Sequence, residues 1–352
     1  MAWNSGTDTG SVSRLGATNG GSDKRSLFLK QFAGEVLTSF EERNIFMPLH
    51  RVRTISNGKS AQFPVTGTSS AAYHTAGETI YGGSVNASEI TVTVDDLLVS
   101  STFVPKIDEA MNHYDVRSIY SAEMGNALAN AADKNIASII YQAATGAGTA
   151  DQEAAWTNAD FAGLSDTDGD VGGANGQAGR IDISNATDEG APSFTAQNIV
   201  DGIINSLMTF DKHDVTGEKY CVLTPEAYYT LMGADSTAIN RDQGGNGSVA
   251  GGNVPTVGGV KILMSNHLPT AEQGTVPLNE SGRGATPYTG SDAFNANLKG
   301  MVFTKDAAAT VKLLDLGVES EYQIERQGTL MVAKYAMGHN ALRNKAAIAL
   351  VA

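Results

Sequence analysis

Gly58-Lys59-Ser60 are the residue types that hold the phosphates of a nucleotide. A glycine lets the backbone approach the anion, a lysine supplies charge, and a serine hydroxyl can ligate magnesium. The complete loop also needs a glycine five positions earlier, where this chain has Arg53. It must then run straight into a helix whose N-terminus faces the phosphates. Here Ala61-Gln62-Phe63-Pro64-Val65 follows, and Pro64 would break the first turns of such a helix. The plainer reading takes Asn57-Gly58 as a turn dipeptide between the extended flanks Val52–Ile55 and Ala61–Val65, which predicts the tip of a β-hairpin.

Other constellations fall short in similar ways. Asp166-Thr167-Asp168-Gly169-Asp170 opens like a calcium loop, but Val171 and Gln177 stand where glycine and glutamate are required. A solvated acidic loop is the default there, with weak calcium binding as the alternative. Gly245-Asn246-Gly247 with Gly251 hints at a dinucleotide fingerprint, yet follows polar sequence and leads to Pro255 rather than a helix. The histidines at 50, 74, 113, 213, 267 and 339 never pair at metal-site spacing, so surface or singly hydrogen-bonded roles are expected. Cys221 lies in apolar "YCVL", which suits an inert core thiol better than a nucleophile. Met301, Met331 and Met337 read as core filler. Lys24, Arg25, Lys30, Arg43, Arg51, Arg53 and Lys59 give the first sixty residues a positive balance, suited to a partner surface or simply to a solvated face. No coherent set of acid, base or metal ligands emerges, so no enzyme activity, cofactor or metal is expected.

The elements around these residues are those of a folded protein of about two domains. In 352 residues, 41% are hydrophobic and 18% charged, and the net charge is −14. Such a surface would be repelled by nucleic acid unless its basic residues cluster. No stretch is apolar enough to span a bilayer, the N-terminus lacks a signal-peptide core, and a single cysteine excludes an intrachain disulfide. Synthesis in a reducing cytoplasm is the expectation.

Residues 1–23 form a Gly/Ser/Thr/Asn tail, followed by "SLFLKQFAGEVLTSF", where Leu29, Phe32, Val36 and Phe40 recur at helical spacing. Ile90, Val92 and Val94 alternate as a strand that Pro105 ends. "DVRSIYSAEMGNALANAADKNIASIIYQAA" predicts a helix of about 28 residues, roughly 40 Å long, capped by Asp115. Between 145 and 192, nine acidic residues meet one basic residue, Arg180, in Gly-rich sequence that reads as a loop or insertion. "TAQNIVDGIINSLMTF" predicts a helix, "KYCVLTPEAYYTLM" a strand and a helix opened by Thr224-Pro225, and "GGVKILMSNHLP" a short strand. Residues 270–297 read as loop. Near the end, Leu314, Leu316, Val318, Tyr322 and Ile324 alternate with Asp315, Glu319, Glu321, Gln323 and Glu325, and Gln327-Gly328 turns the chain back. That pattern predicts a long antiparallel hairpin with one dry side.

Longer strings carry a resemblance. "SLFLKQFAGEVLTSFEE", "RVRTISNGKSAQFPVTG", "IDEAMNHYDVRSIYSAEMGNALANAAD", "TPEAYYTLM", "TVKLLDLGVE" and "AKYAMGHNALR" occur in order along the chain. On these the chain resembles the major capsid proteins of T7-like podoviruses, tailed bacteriophages whose subunits have the HK97-like capsid fold. The resemblance implies an α+β subunit with residues 1–55 as the N-arm and 56–98 as an extended E-loop hairpin reaching over a neighbour. It implies a P-domain from 99–144 and 310–352, with the long helix as its spine, an acidic Gly-rich insertion at 145–192, and an A-domain at 193–309. It further implies self-assembly into hexamers and pentamers of an icosahedral head, around a scaffolding protein and with a portal at one vertex. Packaged double-stranded DNA would be enclosed rather than bound by sequence, with no membrane, in a virion head made in the host cytoplasm. A cargo-holding nanocompartment shell shares this fold and stays the alternative. Arg51, Arg53, Lys59, Phe63, Tyr73 and Tyr81 become candidate contacts between subunits.

Overall fold

A computed structural model describes residues 45–66, 87–95, 97–111, 116–146, 156–157, 179–183, 194–233, 256–270 and 295–352, with scattered positions between 69 and 85. The chain divides into two compact units. One comprises Ile45–Asp95, Asp133–Lys312 and Gly338–Ala352; the other includes Asp96–Ala132 and Leu313–Met337. The predicted N-terminal helix, the Asp115 cap, Asp166–Asp170, the glycines at 245–251, Tyr81 and His113 lie outside the described residues.

After a 3-10 turn at Met47–Leu49 come β1 (Arg51–Thr54), β2 (Ser60–Thr66) and β3 (Ala87–Thr93). Asn57-Gly58 does turn the chain, with Gly58 at φ +103°, a left-handed conformation that suits glycine. It is not a hairpin tip. β1 lies parallel on β10 (Ala308–Gln323), in register Arg51↔Ala309, while β2 pairs antiparallel with β3, in register Phe63↔Ile90. A turn dipeptide sets where the chain reverses; partners are set by what each strand can bury, here Ile90 and Val92 against the body.

The single strand expected up to Pro105 is two, β3 and then β4 (Leu98–Pro105), with separate partners. The short α1 (Lys106–Met111) and the long α2 (Val116–Thr145) follow. At 30 residues, α2 runs about 45 Å. The expected apolar stripe is seen at Met124 and Leu128, but from Ile136 to Ala144 the helix is buried on nearly every side. That requires a surface on which to lie.

The surface is a mixed sheet built from β5 (Arg180–Asp182), β6 (Lys219–Leu223), β7 (Thr256–Val257), β8 (Val260–Met264), β9 (Leu298–Thr304) and β12 (Ala347–Val351), in the order β5-β12-β9-β6-β8-β7. Alternation sorts its side chains into two cores. Tyr220, Val222, Met301, Phe303, Ala347 and Ala349 meet Ile136, Ile140 and Tyr141 of α2. Cys221, Leu223, Val302, Ile348 and Leu350 meet Ile199, Ile203 and Phe210 of α3 (Ala196–Lys212), and Ala227 and Leu231 of α4 (Pro225–Leu231). Both faces being covered explains why these strands read as continuous apolar runs. The helix starts are those expected: Thr195 caps α3 and Thr224 caps α4, with Pro225 in the first turn. Met301, Met331 and Met337 are buried, as core filler should be.

Part of the acidic segment 145–192 is core rather than loop. Trp156 is buried and donates from Nε1 to the Ala347 carbonyl at 2.9 Å. β5 adds a parallel edge to β12, and Arg180, the segment's single basic residue, is buried with its guanidinium bonded to the Tyr141 hydroxyl.

The long terminal hairpin is present as β10 and β11 (Gly328–Ala341). Its predicted dry side is not dry. Leu314, Val318, Tyr322 and Ile324 are 42–73% exposed. Periodicity tells which residues share a face, not whether anything covers it.

Gly338 fixes where β3 meets β11. A Cβ at that position would lie 1.9 Å from the Thr93 carbonyl oxygen, a backbone atom. Gly338→Ala is therefore expected to push the end of β3 off β11, at a cost of about 1–3 kcal/mol. Faster amide exchange at Ile90–Val94 together with a lowered urea midpoint would register it; unchanged exchange would contradict it.

Candidate functional site

Of the six candidate contact residues, Arg51, Arg53, Lys59 and Phe63 lie at the base of the β2–β3 ribbon. Val94 N–H donates to the Lys59 carbonyl at 2.7 Å and closes the ribbon. Asn340 donates from Nδ2 to the Thr91 carbonyl at 3.2 Å, tying the ribbon to β11. Arg53 stands over the Phe63 ring at 5.9 Å and donates from Nη1 to the Gln62 carbonyl at 3.1 Å. Arg51 Nε is 2.6 Å from Asp306 Oδ1. Arg51, Arg53 and Phe63 are thus brought together. Lys59 is exposed at the turn into β2, in front of a strand and not of a helix, so it lacks the geometry of a phosphate-binding lysine. Tyr73 is fully exposed, as is every described position between 69 and 85. The ribbon is anchored at its base.

Beside this base opens a cleft of about 350 Å³, lined by Arg51, Phe63, Pro64, Asp306, Leu342 and Arg343. Cationic groups on its rim and apolar groups on its floor suit a macromolecular contact better than catalysis, because no general base faces a nucleophile there.

Two buried polar knots hold the segment leading into β1. Asp133, at the middle of α2, accepts from Ile45 N at 3.2 Å, from Phe46 N at 2.9 Å and from His267 Nδ1 at 2.8 Å. The second is a chain of groups. His50 Nδ1 donates to the Phe46 carbonyl at 2.8 Å, its Nε2 is 2.5 Å from Thr310 Oγ1, and Thr310 Oγ1 is 2.7 Å from His339 Nδ1. The Phe46 carbonyl can only accept, so neutral His50 carries its proton on Nδ1 and takes the Thr310 hydroxyl proton at Nε2. Thr310 then accepts from His339 Nδ1–H. Burial lowers the pKa of both rings. For His50, the Phe46 carbonyl and Asp133 oppose that shift and Lys312 adds to it. His339 falls to about 3, through burial and then the charge of His50. The expectation of surface or singly bonded histidines is corrected for His50, which is buried and makes two bonds; His267 and His339 are buried as well and bonded through Nδ1. No spacing signal could have exposed this, since His50 and Thr310 are 260 positions apart. The Cys221 thiol is fully buried and pushed up to about 12 by desolvation, as an inert core thiol would be. Among the described residues no cluster of His, Cys, Asp or Glu could hold a metal ion, and no helix is long and apolar enough to cross a membrane.

Comparison with known proteins places this geometry in context. Residues 62–351 match the family model for the Gp10A-like major capsid proteins. The chain is 32% identical to the major capsid protein of Escherichia phage T7, over 94% of this chain and 92% of that protein. Among solved structures it is similar to the capsid structure of cyanophage P-SCSP1u, with a TM-score of 0.72, 35% identity and 99% coverage of both chains. It is also similar in fold to the mature capsid of bacteriophage PhiM1, with a TM-score of 0.68 and 20% identity over 99% of this chain and 98% of that one.

Proposed function

The chain belongs to the Gp10A-like major capsid protein family, and from that premise we propose how its copies close a phage head. It is a phage major capsid protein with a mixed helix and strand fold, and the capsid is where it works. Its parts take HK97-like roles: N-arm at 1–55, E-loop at 56–98, P-domain at 99–144 and 310–352, acidic insertion at 145–192 and A-domain at 193–309. Copies associate head to tail into hexamers and pentamers, and these into an icosahedral shell that forms around a scaffolding protein, with a portal at one vertex. It encloses double-stranded DNA, which a chain of net charge −14 would not hold by its phosphates. The role is structural rather than enzymatic.

The observation that carries this reading is the β2–β3 ribbon, held at its base by Asn340 and by the close approach at Gly338, with every described position between 69 and 85 exposed. A two-stranded ribbon alone is marginal in water, so a projecting one gains its stability from a neighbour. Many such contacts, each weak, sum over a closed lattice. The relatives and structural neighbours named above are all phage capsid proteins, which favours a DNA-containing head over a cargo compartment.

Negative-stain microscopy and sedimentation of the expressed chain, with and without scaffold, test this. Closed shells of uniform size are expected, and Lys59→Ala should change no nucleotide turnover because none should be measurable. A chain that stays monomeric in every condition while hydrolysing ATP would overturn it.

A further inference from the structure

Within a strongly acidic chain, the cleft beside the ribbon base is locally basic. Arg51 and Arg343 stand at its rim, and both are exposed. The Arg51 side chain keeps 57% of its surface open despite its bridge to Asp306. The floor is apolar: Phe63, Pro64 and Leu342. Such a cleft fits a partner segment that pairs a protruding aliphatic side chain with flanking carboxylates. It fits a nucleic-acid backbone poorly, because Asp306 sits in its wall and the floor offers a phosphate nothing to bond.

The chain carries such a segment itself. At the end of the β10–β11 hairpin, Ile324 is 73% exposed, and Glu321 and Glu325, three residues before it and one after it in the chain, are exposed too. The tip is also preformed. Lys106 N–H donates to the Gln327 carbonyl at 3.0 Å, Gln327 Nε2 donates to the Ile324 carbonyl at 2.8 Å, and the Tyr322 hydroxyl donates to Gln327 Oε1 at 3.1 Å. Lys106 lies 5.6 Å over the Tyr322 ring and Arg326 lies 5.9 Å over Phe103, so the nearby cations are stacked on the tip's own aromatics. A rigid tip loses little freedom on docking.

We infer that the cleft of one copy seats the hairpin tip of a second copy, with Ile324 on the Phe63–Pro64–Leu342 floor and Glu321 and Glu325 paired with Arg51 and Arg343. This deepens the shell reading and rests on it. Cleft and tip are different surfaces of the copy, so the contact is heterologous and propagates around a ring. Exposure of the hairpin's apolar row is then the unassembled state of an interface, as large open apolar patches commonly are.

The first test is charge reversal in the full-length chain, under conditions in which wild type closes shells. Glu321→Lys with Glu325→Lys is expected to cut shell yield at least tenfold, as is Arg51→Glu with Arg343→Glu. Combining all four should restore yield to within a few-fold of wild type. A second test does not depend on assembly yield. The chain's one cysteine, Cys221, is buried, so Phe63→Cys with Ile324→Cys should form a ladder of disulfide-linked multimers on mild oxidation. Tip variants that close shells as wild type does, a four-fold variant that stays as defective as its parents, or a cysteine pair that gives no ladder each overturn the pairing alone. A wild-type chain that forms no particle overturns the shell reading with it.

Discussion

Asp133→Ala is expected to destabilise the subunit by about 3–5 kcal/mol, more than any surface change described above. Its carboxylate is buried and receives three donors, the Ile45 and Phe46 amides and His267 Nδ1. Removing it leaves the three donors without this acceptor, and a buried donor left unsatisfied costs about 1–3 kcal/mol. Asp133→Asn keeps one accepting oxygen and should recover part of the loss. Urea unfolding of dissociated subunits measures the effect. Trypsin should also cut faster at Arg51, because the released amides belong to the segment that leads into β1. Equal midpoints for wild type and the alanine variant would show that water replaces the carboxylate without penalty.

The second large effect is acid sensitivity. His339 titrates near 3 in the folded subunit and near 6.5 when unfolded. Below pH 6.5 the unfolded chain therefore binds the proton and the folded one does not, so the stabilisation is complete above pH 6.5 and is lost as pH falls. From this residue alone the loss reaches about 2 kcal/mol at pH 5 and grows towards pH 3. His50, also lowered, steepens the same slope. Protonating His50 would place a donor on Nε2 against Thr310, turn the hydroxyl proton towards His339 Nδ1, and require that ring to change tautomer. The two rings therefore titrate as one system. His339→Asn, whose amide N–H can still reach Thr310, should flatten the dependence of the urea midpoint on pH between 7 and 5. An unchanged slope in that variant would assign the acid response elsewhere.

Local signals were legible where physics is local. The Thr224-Pro225 start, the length of α2 and the alternation in β10 follow from rules that act within a few residues. Partner choice was not legible. Asn57-Gly58 marked a turn correctly, yet β1 and β2 join different sheets, because β2 pairs with the next strand while β1's partner, β10, lies far along the chain. The burial of Trp156 and Arg180 inside an acidic, Gly-rich stretch was masked by its average composition, which says little about two residues that fold into a core. The hairpin's apolar row was seen, but its covering was assumed. At the candidate site, Arg51, Arg53 and Phe63 were named from the resemblance, and the structure groups them; Asp306, Leu342 and Arg343 join them only through tertiary folding.

The position of β12 in its sheet governs timing. β12 lies between β5 and β9, so β5 has no strand partner, and β9 only β6, until residues 347–351 have left the ribosome. A nascent chain thus keeps this layer incomplete until β12 has emerged, and a polysome crowded with half-built copies offers no finished surface on which a particle could nucleate.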